Sequence, residues 1–263
     1  MVSSQQQYNC RYPIKSDDQS LFYSLLFQKG PSSSGKTTLL DRIIRKSDRL
    51  FTGGKNKKII LFYSTEQTIY EKWEDDGILA HKEKGVPSSS KFFDLINLYC
   101  GKDGGIIIFD DLSSQVKNNI SFFRDLFMVH SHHQNLSVFL TLHNIFTPGT
   151  RDLSLNCHRF IVTHNPRDIL AIATLGRQCF SGTKNFLPSV YKDIGKKKFG
   201  YLVLDFSQNT SDELRGTLHE SSYHQLNTYF TFQSAQIGLV KLTEESWFFK
   251  VKITERSLIE HYI

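Results

Sequence analysis

Two glycines bracket four residues in GPSSSGKT, residues 30 to 37, and a lysine and a threonine close the run. This is the G-x-x-x-x-G-K-[ST] pattern of a phosphate-binding loop. It constrains the fold because such a loop serves only between a strand and a helix. Upstream, LFYSLLF at 21–27 is a short apolar run that reads as a buried strand. Downstream, Leu39, Leu40, Ile43 and Ile44 recur at helical spacing with charges between them. Gly30, Pro31, Ser32, Ser33, Ser34, Gly35, Lys36, Thr37 and Thr38 are therefore the expected nucleotide contacts. Glycines let the backbone approach the phosphates, and successive N–H groups with a helix N-terminus face the anion. Lys36 is expected on the β- and γ-phosphates, and the Thr37 hydroxyl on Mg²⁺.

Further along, apolar strands alternate with helices, which predicts a mostly parallel central sheet covered by helices on both faces, an α/β fold of the P-loop NTPase kind. Strands are expected at KKIILFYS, GGIIIFDDL, LSVFLTLHN, HRFIVTHN and FGYLVLDF. TIYEKWEDDGILAHKEKG reads as helix and loop, SSSKFFDLINLYC as a Ser-capped helix, and NNISFFRDLFMVHSHH as a helix presenting Ile120, Phe123, Leu126 and Phe127. PRDILAIATLGRQ and KNFLPSVYKDIG complete the helices. The expected organisation is a polar arm over 1–20, the nucleotide domain over 21–215, and a C-terminal extension over 216–263 that fits no clear part of the scheme.

The second half of a phosphate site is a metal-holding carboxylate. IIIFDDL ends a strand apolar on both faces with Asp110 and Asp111, at the sheet edge where open α/β folds place ligands. Asp110 is expected in the Mg²⁺ shell, and Asp111 as the group that orients or deprotonates the attacking water. Two adjacent carboxylates repel and are favourable mainly beside a cation. The chain has no N-K-x-D, which argues against a Ras-like GTPase, and a second acidic residue directly after Asp110 is the arrangement of hydrolysing, motor-type ATPases. LSVFLTLHN should run beside the Asp110 strand and end at Thr141, His143 and Asn144, where a polar group can sense the γ-phosphate. His130, His132 and His133 have no cysteine or carboxylate spaced to complete a zinc site and read as a helix end.

Of 263 residues, 32 are Lys or Arg and 26 Asp or Glu, a net charge of +6. The surplus gathers in DRIIRKSDRLFTGGKNKK and KDIGKKK, and basic stretches suit a polyanion, nucleic acid above all. Lys55, Lys57 and Lys58 are the patch expected on a DNA path. No apolar run approaches the roughly 20 residues of a membrane span, and the N-terminus has no hydrophobic signal region. Four scattered cysteines without a C-x-x-C pair point to a reduced, intracellular compartment.

The order of motifs resembles the viral DNA-packaging ATPases of the poxvirus and Polinton/Maverick type, in the FtsK–HerA superfamily. The likeness covers about residues 22 to 215 and rests on GPSSSGKT, IIIFDDL, HSHHQNLSVFLTLHNIF, RDLSLNCHRFIVTHNPRD, LGRQ and FGYLVLDFSQNTSDELR. The resemblance implies a homo-oligomeric ring that uses ATP and Mg²⁺ to move double-stranded DNA into a capsid, with a capsid or portal protein as partner. It implies an intracellular assembly site or association with the virion. Lys36, Thr37, Asp110 and Asp111 carry over directly. His143 stands where the family usually has a glutamine. No arginine stands in the stretch matching HHQN, so Arg151 is the first candidate for an arginine finger and Arg124 the second. A P-loop kinase of nucleotides or nucleosides, and a nucleotide-binding scaffold that has lost hydrolysis, are the alternative readings.

Overall fold

The computed structural model describes residues 25–29, 34–51, 57–143, 149–179, 186–196, 198–206, 216–219, 235–243 and 246–253. Six strands run parallel in the order β3-β2-β4-β5-β1-β6: β1 (Leu25–Lys29), β2 (Lys58–Tyr63), β3 (Leu79–Lys84), β4 (Gly105–Asp110), β5 (Leu136–Leu142) and β6 (Arg159–Thr163). Beyond β6 the sheet continues antiparallel through β7 (Tyr201–Asp205), β8 (Gly216–His219), β10 (Ser246–Ile253) and β9 (Ala235–Thr243). The mostly parallel α/β sheet is thus present, with an antiparallel wing on one side.

Period-two alternation splits each central strand between two cores. On β2, Ile60 and Phe62 join one apolar cluster, while Ile59, Leu61 and Tyr63 join the other. On β4, Ile107 and Phe109 divide from Ile106 and Ile108 in the same way. The first face is covered by α4 (Ser89–Tyr99), α6 (Ile120–Asp125) and the helices α9 (Ile169–Cys179) and α10 (Phe186–Gly195). The second face is covered by α1 (Lys36–Ile44), α2 (Ser47–Leu50) and α3 (Thr68–Asp75). Phe109 sits among Phe62 and Phe123, with ring centroids 5.1 and 4.9 Å away, which locks β4 against its helices.

Several expected elements shift. β1 lies at 25–29, and residues 21–24 are outside the described residues. The expected loop in ILAHKEKG contains β3, an edge strand whose polar side chains are held by ion pairs rather than by apolar burial. Ser88 caps α4 as expected, its Oγ accepting from Lys91 N at 3.4 Å. The expected single helix through SFFRDLFMVHSHH is α6, a π turn at Leu126–His130, and the short α7 (Ser131–His133). Phe123, Leu126 and Phe127 are buried as expected. A short α5 (Ser113–Asn118) precedes them, and α8 (Arg151–Leu155) precedes β6.

The basic run before β2 is not a uniform surface patch. Lys57 is 6% exposed, and its ammonium donates to Asn135 O and Oδ1, each at 3.0 Å, and to Ser137 Oγ at 3.3 Å. Arg45 is paired with Asp41 and Asp76, each at 2.7 Å. Lys58 is exposed, and Lys55 lies outside the described residues. Lys57 therefore serves the fold and leaves the expected DNA patch.

Burial lowers the Lys57 pKa to about 8. The unfolded chain holds that proton up to its ordinary value near 10.5. Between those values the unfolded state binds more protons, so this lysine makes stability rise with pH. Relative to Lys57→Met, the wild type should gain about 2 kcal/mol between pH 8 and 10. Urea midpoints of both proteins across that range test it, each also carrying Cys100→Ala, because that thiol feels the Lys57 charge and its titration would not cancel in the difference. A flat difference would mean that the ammonium is not held in a low-dielectric site.

Candidate functional site

Register aligns the strand ends at one edge of the sheet. Tyr63 pairs with Asp110, Phe109 with Leu140, and Lys29 of β1 with both Leu142 and Val162. β5 lies between β4 and β1, so its C-terminal end stands between the carboxylates and the phosphate loop. Were β4 and β1 adjacent, no third strand could place a side chain there.

α1 starts at Lys36, and Gly35 before it has φ of +88°, a left-handed turn that favours glycine. Lys36 and Thr37 are half-buried, Ser34 and Gly35 likewise, and Thr38 is exposed. Gly30, Pro31, Ser32 and Ser33 lie outside the described residues. Burial lowers the Lys36 pKa, and the negative charges of Asp110 and Asp111 oppose that shift. The Lys36 ammonium therefore lies within electrostatic reach of both carboxylates.

Asp110 is 2% exposed and held at both oxygens. Tyr70 on α3 donates its hydroxyl to Oδ2 at 2.6 Å, and Thr141 donates to Oδ1. Gln67 Nε2 donates in turn to the Tyr70 hydroxyl at 2.9 Å. Burial first, and then the Asp110 charge, push the Tyr70 pKa up, which keeps it a donor. The Thr141 hydroxyl also accepts from the Asp111 N–H at 2.8 Å, so one side chain on β5 orders both aspartates.

Asp111 has φ of +58°, the left-handed region that Asp tolerates better than most residues. The turn brings its half-exposed carboxylate onto His143, whose Nε2 meets Asp111 Oδ1. The backbone N–H of His143 donates to Ser113 Oγ at 3.3 Å. His143 therefore holds the candidate base. Asn144, the competing residue, lies outside the described residues.

Two further groups carried no motif. Tyr70 lies in α3, TIYEKWED, a helix that carries no motif, and only the pairing of β2 with β4 brings it to Asp110. Thr163, at the end of β6, donates to Ser34 Oγ at 2.8 Å and ties β6 to the loop. A polar residue ending each apolar strand, as at Thr141, was the available signal. The arginines stand apart. Arg151 is exposed in the first turn of α8, and among the described residues no hydrogen bond or ion pair joins its guanidinium to the aspartates. Arg124 Nη2 is paired with Asp152 at 2.9 Å.

The donors available to a metal are hard oxygens, the Thr37 hydroxyl and the Asp110 carboxylate. Among the described residues no group of three or more His, Cys, Asp or Glu could form a protein cage. Mg²⁺ requires none, since it is commonly held by one or two carboxylates with substrate phosphates and water. The residues fit that ion. The arrangement can cradle a triphosphate, neutralise it, and place a carboxylate beside an attacking water.

No protein-family model and no curated protein matches this sequence. Solved structures with a similar fold include the genome packaging NTPase of Sulfolobus turreted icosahedral virus 2 in complex with AMPPCP. It has 15% identity and a TM-score of 0.45, over 72% of this chain and 95% of that one. A KaiC-like protein of Pyrococcus horikoshii has 12% identity and a TM-score of 0.42, over 75% and 86%. The cytoplasmic domain of the Thermomonospora curvata type VII secretion ATPase EccC has 11% identity and a TM-score of 0.45, over 69% and 24%. At such scores the likeness carries no argument about activity, which rests on the residues of the site. Among the described residues no helix is long and apolar enough to cross a membrane.

Proposed function

We propose that this chain hydrolyses ATP and uses the energy to translocate double-stranded DNA, packaging a viral or virus-like transposon genome into a capsid. The observation that carries the hydrolytic part is the sheet register that ends β1, β4 and β5 level, with Lys36 at the start of α1 within electrostatic reach of Asp110 and Asp111. Lys36 binds the β- and γ-phosphates. Thr37 and Asp110 would hold Mg²⁺, which would offset phosphate charge. Asp111, aimed by its left-handed turn and held by His143, accepts the proton of the attacking water. The DNA part is supported by the motif resemblance and the net charge of +6. A ring of like subunits and a capsid or portal partner belong to the same reading, with Arg151 reaching the site of a neighbouring subunit.

A phosphate-release assay with and without long duplex DNA tests it. Duplex DNA should stimulate release. Mixing inactive Lys36→Ala with inactive Arg151→Ala protein should partly restore it, by pairing an intact loop with a neighbour's arginine. Release that ignores duplex DNA, or that requires a small phosphate acceptor, would exclude the translocase.

A further inference from the structure

The loop accounts for the phosphates of a nucleotide but not for its base. Beside the loop lies a cleft of about 150 Å³ lined by Gly35, Thr38, Leu39, Arg42, Lys198, Phe199 and Tyr201. β7 pairs antiparallel with β6, Tyr201 opposite Thr163, so the turn before β7 arrives at the same sheet edge as the phosphate loop. A larger cavity of about 410 Å³ lies at the far end of α1, lined by Arg45, Asp48 and Lys57, and is remote from the site.

We propose that the smaller cleft is the nucleobase subsite, with a purine ring stacked on Phe199. This rests on the reading of the loop as a triphosphate site. Three observations converge. First, Phe199 is a large aromatic left 54% exposed. Second, it holds φ of +60°, a conformation unfavourable for a bulky side chain. Such strain gathers at ligand clamps, where the surroundings impose it. Third, the ring is seated against the loop: a Cβ added at Gly35 would meet Phe199 Cδ1 at 3.1 Å and Cγ at 3.3 Å. The glycine that frees the loop for phosphate also makes room for this ring edge, leaving a face to the cleft.

The lining chemistry suits a purine. Lys198 Nζ stands 5.2 Å from the Phe199 centroid, which fixes the ring by a cation–π contact. Arg42 and the Thr38 hydroxyl offer donors to ring nitrogens, and no carboxylate is among the lining residues. Stacking favours any large π face, and the donors set the orientation.

Calorimetric titration with two probes, Mg·ATP and magnesium tripolyphosphate, tests the assignment. Phe199→Ala should weaken ATP by about 5- to 150-fold, the usual effect of losing a base–aromatic stack. Tripolyphosphate, which has no base, should bind as to wild type, and Phe199→Trp should retain ATP. Phe199→Gly relieves the positive φ, so its thermal midpoint should not fall while its ATP affinity does. Unchanged ATP affinity in Phe199→Ala would overturn the proposal. So would equal losses for both probes, because Phe199 would then merely prop the loop. A wild type that binds neither probe would instead sink the reading of the loop itself, and the subsite with it.

Discussion

Replacing Lys36 with alanine is expected to abolish hydrolysis and to weaken ATP binding. It is half-buried at the start of α1, within electrostatic reach of the two aspartates, whose charge it offsets. Without it, Asp110 and Asp111 face the phosphates with only the metal between like charges. Removing one preorganised stabilising group costs about 10²- to 10³-fold in turnover. Here the loss should be at least that, because ground-state binding falls too. Steady-state phosphate release and ATP calorimetry on folded Lys36→Ala protein decide it. Turnover near the wild-type rate would remove the loop from catalysis.

The second large effect separates the neighbouring carboxylates. Asp111→Asn should bind Mg·ATP almost normally and hydrolyse it about 10²-fold or more slowly, as for a lost general base. Its left-handed backbone suits Asn as well as Asp, so the fold should be undisturbed. Asp110→Asn should behave differently. Both of its oxygens accept hydroxyl protons, from Tyr70 and Thr141. An amide there turns an NH₂ toward one of those donors, so stability should fall by roughly 1–3 kcal/mol as metal-dependent binding is lost. Binding, turnover and denaturation measured side by side provide the test. Two mutants alike in all three would refute the division of roles.

The local features were readable because they need no distant partner. Gly35 must adopt a conformation that glycine favours, Lys36 and Thr37 follow at the helix start, and Ile106 to Phe109 are apolar on both faces of their strand. These properties belong to short segments, so spacing and period reveal them. The α/β alternation followed from the same kind of pattern.

Long-range pairing decided the rest. β3 has a polar sequence, and only edge pairing with β2 and ion pairs to Glu66, Glu74 and Lys91 make it a strand. Lys57 reads as part of a basic run, yet the approach of Asn135, 78 residues away, turns it inward. Gly104 takes part in that approach, since any Cβ there would collide with the Asn135 carbonyl. Tyr70 reaches Asp110 only because β2 lies beside β4. His143 reaches Asp111 because β5 ends level with β4 and Asp111 turns left-handed. The sequence by itself determined the phosphate loop, the paired aspartates and the strand–helix alternation, because each is a property of a few consecutive residues. Tertiary structure alone decided which polar groups surround them, because side chains tens of residues apart acquire a distance only when the sheet orders its strands.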